Sequence, residues 1–132
     1  MKPFQIKYSI ISEIRHGSSY NLAELEVIGV SKFAIKKNNG WQDKHTWSTD
    51  GKLLAQIKWD LINNSPGFII VLFDSEKGKI MQTDRIEGCC NALRLNKESD
   101  IDYETFTKVS KDGIKEEYGF VKEKIKTCYN NR

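Results

Sequence analysis

The residues best suited to chemistry in this chain are two histidines and three cysteines. Catalytic or metal-binding residues of these types usually stand in clusters with short spacing. His16 and His45 are far apart, and neither has a cysteine nearby. Cys89 and Cys90 are adjacent, with no histidine close by to activate a thiolate, so we expect buried, inert thiols, one facing the core and one nearer the surface. The sequence therefore predicts no metal site and no nucleophilic cysteine.

One segment has the loose form of a metal-dependent nuclease site. Asp50 is followed by Gln56-Ile57-Lys58, and such sites hold Mg²⁺ with two acidic groups beside a lysine. The tripeptide is short enough to occur by chance, and Asp50 with Gly51 already suits a tight turn. No glycine-rich phosphate loop, Gly-x-Ser-x-Gly or His-Glu-x-x-His motif occurs. We therefore expect a binding protein rather than an enzyme, with no cofactor.

Aromatic and basic residues are interleaved in the middle of the chain. The three tryptophans and their neighbouring lysines are Trp41, Lys44, Trp47, Lys52, Lys58 and Trp59. Such interleaving can stack and hold single-stranded nucleic acid, although tryptophans of this kind also anchor sheet cores. Trp41 directly follows the Asn39-Gly40 turn signal, so we expect it to be the most exposed of the three.

The binding surface predicted from these residues surrounds Trp41. An exposed tryptophan is a favoured interface anchor, and loops at strand ends are free to carry binding residues. The alternative is that Trp41 closes one end of the core. The predicted partner-binding residues are Trp41, Asp43, Lys44, His45, Asn63 and Asn64.

Hydrophobic residues alternate with polar ones over much of the chain, which is typical of half-buried strands. Phe68 to Phe73 is continuously apolar, as expected of a strand buried on both faces. Asp50-Gly51 and Asn39-Gly40 suit turns between strands. The pattern favours an all-β, antiparallel fold. The apolar residues from 114 to 128 also recur at helical spacing, which leaves open an α+β alternative with helices near residues 84–95 and 114–128.

The segment from His45 to Ile80 resembles one blade of a β-propeller. It has a Trp-Ser-x-Asp-Gly-Lys-x-Leu-Ala turn at residues 47–55, then the apolar strand, then Asp-x-x-x-Gly-Lys at residues 74–79. Weaker repeats of the same strand-turn-strand pattern lie on both sides of this segment. They suggest three blade-like units of roughly 35–45 residues in a single domain over residues 1–132. A closed propeller typically needs about four or more blades, so the resemblance implies an open half-propeller.

Composition narrows the class of protein. The chain has 132 residues, a net charge of +3, 39% hydrophobic and 30% charged residues, which is a soluble globular balance. Its longest apolar run, residues 67–73, is far shorter than a membrane span. The odd cysteine count and the lack of a secretory signal predict a cytoplasmic protein. Non-specific nucleic-acid binding usually needs a clustered patch of basic residues, and the sequence contains no such cluster.

A small half-propeller without catalytic motifs resembles the immunity proteins of bacterial contact-dependent growth inhibition systems. The resemblance lies in the architecture and the blade-like turn. It implies a non-enzymatic inhibitor that binds a cognate toxin domain, often a nuclease, and that is monomeric until bound. Immunity proteins against nucleases tend to be acidic, whereas this chain has a pI near 8.7. The alternatives are a small nucleic-acid-binding module and, third, a small-ligand binder.

Overall fold

The computed structural model describes residues 5–14, 18–29, 34–62, 65–111 and 115–127, and this part of the chain contains strands but no helix. The all-β prediction is confirmed, and the helical alternative is wrong for the residues described in its two segments. Within these ranges no helix is present that could cross a membrane. The strands are β1 (Gln5–Glu13), β2 (Asn21–Ile28), β3 (Ala34–Trp47), β4 (Leu53–Trp59), β5 (Gly67–Asp74), β6 (Gly78–Gln82), β7 (Ile86–Glu87), β8 (Cys89–Leu95), β9 (Ile101–Lys111) and β10 (Lys115–Ile125).

The described strands form two antiparallel sheets, where the sequence predicted three blade-like units. The first sheet joins β1 to β6 in chain order, with β7 also paired to β5, and the second has the order β10-β9-β8. The difference arises at β3. This strand has 14 residues and pairs with both β2 and β4. The first two predicted units are therefore one continuous sheet.

The Asn39-Gly40 segment, predicted as a turn, lies inside β3. Ala23 pairs with Trp41 and Leu25 pairs with Asn38, so β3 has one more residue than β2 between these pairs. Gly40 has a φ of +102° at this point. An extra residue of this kind is a β-bulge, which bends and twists a strand without ending it. The Asn-Gly signal therefore marks a change of direction within β3.

The turn between β3 and β4 forms as predicted, and its hydrogen bonds explain why. Ser48 Oγ donates to Asp50 Oδ1 at 2.7 Å and accepts the Leu53 N–H at 2.9 Å. Asp50 Oδ1 also accepts the Lys52 N–H at 3.0 Å. The hydrogen bond from the Lys52 N–H has the largest effect on the pKa of Asp50 and lowers it, and the hydrogen bond from Ser48 Oγ lowers it further. Asp50 thus has the structural role expected of a turn residue.

The main core lies between the two sheets. Alternate residues of β4 and β5 point toward β8 and β9, since side chains of a strand alternate between its faces. Val71 and Phe73 point to the opposite face of β5 and are also buried, which confirms that this strand is covered on both sides. The buried residues of the main core are Leu53, Ala55, Ile57, Trp59, Phe68, Ile70, Leu72, Cys89, Cys90, Leu95 and Ile101.

The first sheet curls over the face that points away from the main core. Tyr8 Oη on β1 donates to Gln56 Oε1 on β4 at 2.7 Å, although β2 and β3 lie between those strands. Strands in a sheet are about 4.8 Å apart, so β1 and β4 would be about 14 Å apart if the sheet were flat. The curl encloses a second cluster of buried side chains, namely Leu25, Val27, Trp41, Leu54, Val71 and Phe73.

Candidate functional site

Trp41, the centre of the predicted binding surface, is a core residue. It is only 3% exposed, and its ring centre lies 6.3 Å from that of Phe73. Lys58 Nζ lies 5.4 Å from the same ring centre. The expectation of an exposed anchor is wrong because the bulge before Trp41 directs the ring into the curled sheet. Asn63 and Asn64, predicted to lie beside it, fall outside the described residues.

The other predicted residues on β3 are divided between its two faces. Asp43 and His45 share the Trp41 face, and Lys44 points to the opposite face because residues of a strand alternate. The Lys44 charge lies near enough to Cys90 to oppose the rise in pKa that burial causes in that thiol. The structure therefore brings Asp43 and His45 together and separates Lys44 from both.

His45 is exposed and belongs to a hydrogen-bonded group at the mouth of the curled sheet. Its Nδ1 lies 3.0 Å from Tyr8 Oη, and that hydroxyl donates its single proton to Gln56 Oε1. With both bonds formed, His45 Nδ1 carries a proton and donates it to Tyr8. Burial raises the pKa of Tyr8, and the charge of Asp43 adds to this rise. The group is therefore a structural polar cluster in which Tyr8 stays protonated at neutral pH.

The adjacent cysteines are both buried, and neither forms a disulfide. The expectation that one of them lies nearer the surface is wrong, because each face of β8 is covered at this point. Burial raises the pKa of the Cys90 thiol to about 12, and its Sγ donates to the Ala92 carbonyl at 3.4 Å. A thiol with such a pKa is protonated at neutral pH and is a poor nucleophile. Cys128 falls outside the described residues.

A group of three aromatic side chains, two of them exposed, lies on the second sheet. Phe120 on β10 stands opposite Phe106 on β9, and Tyr118 lies two residues before Phe120. The Phe106 ring centre is 5.4 Å from that of Tyr118, with the planes 17° apart, and 5.1 Å from that of Phe120. Tyr118 is 60% exposed and Phe120 is 59% exposed. We call Phe106, Tyr118 and Phe120 the aromatic ladder.

The aromatic ladder lies on the outer face of the second sheet. Ile101 and Thr105 on β9 are buried, and Ile101 belongs to the main core. Phe106 is adjacent to Thr105 and therefore points to the other side of the sheet. The exposure of Tyr118 and Phe120 shows that this side is open to solvent along β10.

A cleft of about 370 Å³ lies beside the aromatic ladder, between the second sheet and one end of the first. Phe106 and Tyr118 form one wall, and Ile14, Tyr20 and Pro66 contribute to the other. A volume in this range suits a small ligand, and it also suits a side chain inserted by a protein partner. The aromatic ladder and the cleft share two residues and so form one continuous surface.

Gly88 allows β8 to approach β9 beneath the cleft. Its φ is +110°, and a Cβ atom there would lie 2.5 Å from the Phe106 carbonyl oxygen and 2.8 Å from the Thr105 and Thr107 side chains. Real Cβ atoms do not approach backbone oxygen so closely, so this corner requires glycine. The position of Phe106, which belongs to both the ladder and the cleft, therefore depends on Gly88.

A chain of side-chain hydrogen bonds links the two sheets next to the cleft. Tyr20 Oη donates to Asn91 Oδ1 at 3.2 Å, and Asn91 Nδ2 donates to Glu104 Oε1 at 2.6 Å. Burial raises the pKa of Tyr20, and the nearby cysteines and Glu104 add to the rise. Tyr20 therefore remains a neutral donor and ties the end of the first sheet to the second.

Lysines flank the aromatic ladder. Lys108 stands opposite Tyr118, and Lys122 lies two residues after Phe120 on the same face. Both lysines are exposed. Lys122 stands opposite Glu104, so the surrounding charge is mixed, with the positive groups placed next to the exposed rings.

The aromatic ladder was not predicted from the sequence. Tyr118 lies in a segment whose pattern fits helix or strand, and neither Phe106 nor Phe120 is part of a recognisable motif. The available signal was the Lys111-Asp112-Gly113 turn sequence, because Phe106 and Phe120 are equally distant from Gly113. Antiparallel strands about that point place them opposite each other.

The arrangement gives no indication of a metal centre, and comparison with known proteins gives no family. In the described ranges, no three His, Cys, Asp or Glu side chains are grouped so that they could hold a metal ion. No protein-family model, curated protein or solved structure matches the chain. The function is therefore inferred from the geometry of the aromatic ladder and the cleft.

Proposed function

We propose that this protein is a non-catalytic, protein-binding inhibitor whose partner docks on the aromatic ladder and the adjacent cleft. The observation that carries the proposal is the exposure of Tyr118 (60%) and Phe120 (59%) side by side on an open sheet face. Aromatic residues are enriched in the buried centres of protein interfaces. Burying a side chain of this size contributes about 1.5–3 kcal/mol, so two such rings provide much of the energy of a stable complex.

The cleft supports a partner that inserts a side chain beside the ladder. Its walls carry Phe106, Tyr118, Ile14 and Pro66, which are apolar over much of their surface. The hydrogen bond from Tyr20 to Asn91 fixes the loop that forms the opposite wall. A pre-formed cleft reduces the ordering cost of association.

The state of the reactive residues favours binding over catalysis. Asp50 is held by the hydrogen bonds of a turn. The Cys90 thiol has a pKa raised to about 12 by burial. Tyr8 and His45 bond to each other in the polar cluster at the mouth of the curled sheet. Each of these groups therefore has a structural role.

Within this class we propose a bacterial toxin immunity protein that acts in the cytoplasm. The support is the blade-like turn from Trp47 to Lys52, which forms between two antiparallel strands with Ser48 and Asp50 as its hydrogen-bonding residues. Lys108 and Lys122 beside the exposed rings, and a pI near 8.7, favour a toxin domain with an acidic surface over a basic nuclease.

The test uses the toxin-like domain encoded beside this gene, co-expressed with the tagged chain. We expect the domain to co-purify with the wild type and growth to be protected. The Tyr118→Ala/Phe120→Ala double variant should lose both co-purification and protection of growth, since it lacks the exposed rings but keeps the main core intact. Ile28→Ala is the matched control, because Ile28 is an exposed apolar residue (41%) on the first sheet. Equal co-purification by the double variant would contradict the proposed surface.

A single-stranded nucleic-acid-binding module is the second candidate. The observation that favours it is the aromatic ladder with Lys108 and Lys122 beside it, since exposed rings among basic residues can stack bases. Trp41 and Trp59 no longer support this function, because they are only 3% and 6% exposed. Binding to a single-stranded oligonucleotide that weakens steeply with salt, and that is lost in Tyr118→Ala/Phe120→Ala, would favour this candidate.

A further inference from the structure

Among the strands that the structure describes, β10 is a long edge strand. It spans 11 residues and pairs with β9 along one side, and it stands last in the order of the second sheet. The unpaired backbone groups of such an edge form a template for another strand unless the sequence prevents it. Charged residues occupy both ends of β10, whereas Tyr118, Gly119, Phe120 and Val121 in the middle are uncharged.

We propose that the edge of β10 pairs with the β10 edge of a second copy of this chain. The two strands run antiparallel about a twofold axis at Gly119. A continuous sheet requires paired residues to lie on the same face, so the axis must pass through a residue and not between two. The register is therefore set by which residue lies on the axis.

The Gly119 register is electrostatically self-complementary. Lys115 stands opposite Glu123 of the second copy, and Glu116 stands opposite Lys122 of the second copy. Symmetry repeats each pair, and no like charges face each other. Tyr118 stands opposite Phe120 of the second copy, so the aromatic residues also pair. Cross-strand pairs of unlike charge or of aromatic residues each stabilise a sheet by about 0.2–1 kcal/mol.

Neighbouring registers lack this complementarity. With Tyr118 on the axis, no two charged residues of β10 stand opposite each other. With Phe120 on the axis, Glu116 stands opposite Lys124 of the second copy. Glu117 then stands opposite Glu123 of the second copy, and symmetry repeats this pair of like charges. The charge pattern thus specifies one register, whereas charges that only protected an edge would not need to match in this way.

Such a dimer extends the aromatic surface. Pairing at the edge joins the two three-stranded sheets into one and leaves their outer faces open. The aromatic ladders of both copies then lie on the same face, next to each other across the axis. The sequence-based expectation of a monomer before binding is replaced by this proposal. The inference does not depend on the toxin partner, because it is tested on the purified chain alone.

The experiment is sedimentation equilibrium of the wild type and of charge-reversal variants. Glu123→Lys and Lys115→Glu each place like charges opposite each other twice. Glu123 stands opposite Tyr103 and Lys115 opposite Lys111 within the monomer, so neither residue stands directly opposite an unlike charge on β9. We expect the wild type to dimerise and each single variant to dimerise about tenfold or more weakly, the effect of roughly 1.4 kcal/mol.

Combining the two charge reversals, in a mixture or in one chain, distinguishes this interface from a contact elsewhere. An equimolar mixture of the two single variants should form heterodimers, since one copy then carries lysine at both positions and faces glutamate at both positions of the other copy. The Lys115→Glu/Glu123→Lys variant should dimerise like the wild type. Glu98→Lys, a charge reversal of an exposed residue between β8 and β9, is the matched control and should have no effect.

Two results would overturn the proposal. One is a wild type that stays monomeric at the highest attainable concentration. The other is a dimer that is equally stable in the wild type, both single variants and their mixture, which would place the contact elsewhere. Circular dichroism of each variant confirms that β structure is retained, and the mixture keeps the test valid if the double variant folds poorly.

Discussion

Tyr8→Phe removes one hydroxyl from the polar cluster at the mouth of the curled sheet and should destabilise the fold markedly. The Tyr8 hydroxyl donates to Gln56 Oε1 at 2.7 Å, and this bond joins β1 to β4 across the curl. Phenylalanine keeps the ring and its packing. The substitution therefore isolates the contribution of the polar contact.

The magnitude follows from the burial of Gln56. That residue is 0% exposed, and its Nε2 has no hydrogen-bond partner among the described residues. Loss of the hydroxyl leaves Oε1 unsatisfied as well, so a whole buried amide lacks partners. A lost hydrogen bond costs about 0.5–1.5 kcal/mol and an orphaned buried group about 1–3 kcal/mol. His45 is exposed and can bond to water instead, so we expect a total loss of about 2–3 kcal/mol.

The assay is equilibrium urea unfolding of the wild type, Tyr8→Phe, Gln56→Met and the double variant. Methionine has nearly the shape of glutamine and carries no amide, so the double variant has no orphaned polar group. We expect it to be more stable than Tyr8→Phe, with a coupling energy above about 1 kcal/mol. Tyr118→Phe is the matched control, because Tyr118 is 60% exposed and its change should stay within about 0.5 kcal/mol.

Two outcomes would refute this reasoning. A Tyr8→Phe variant within about 0.5 kcal/mol of the wild type would mean that the amide finds other partners. A double variant no more stable than Tyr8→Phe would mean that the loss does not come from Gln56.

Two further predictions concern the core. Trp41→Ala should destabilise the fold by about 3–5 kcal/mol in urea unfolding, because its ring is 3% exposed; near wild-type stability would contradict its assignment to the core. Burial raises the Cys90 pKa from 9.0 to about 12, so the native state keeps a proton that the unfolded state loses as pH rises above 9. Stability should therefore fall between pH 9 and 12. The free energy of unfolding, measured over that pH range, should fall less steeply for Cys90→Ala than for the wild type. An equally steep fall in the variant would mean that other groups cause the pH dependence.

Local sequence predicted the strands and one of the central turns because their causes are local. The continuous apolar run from Phe68 to Phe73 required burial on both faces, and both faces of β5 are covered. Asp50-Gly51 formed the predicted turn because Ser48 and Asp50 satisfy its backbone groups within a few residues. No contact distant in sequence is needed to form that turn.

The Asn39-Gly40 signal shows the limit of such reasoning. A glycine with positive φ suits a turn and a bulge equally, and the choice depends on whether the strand finds partners on both sides. Here β2 and β4 both pair with β3, so the chain continues as one strand. The exposure predicted for Trp41 was wrong for the same reason, since a bulge inside a curled sheet directs the following residue inward.

By itself the sequence determined that this protein is all-β, because alternation and turn chemistry act over a few residues. Only the tertiary structure decided which faces are covered. Packing of the first sheet against one side of β8 and β9 buries Cys90 and Ile101 and leaves Phe106 on the other side. The aromatic ladder exists because the hairpin register places Phe106 beside Tyr118 and Phe120 of the next strand, and the last two rings remain exposed there. Exposure is a property of what packs against a face, and residue type and spacing do not encode it.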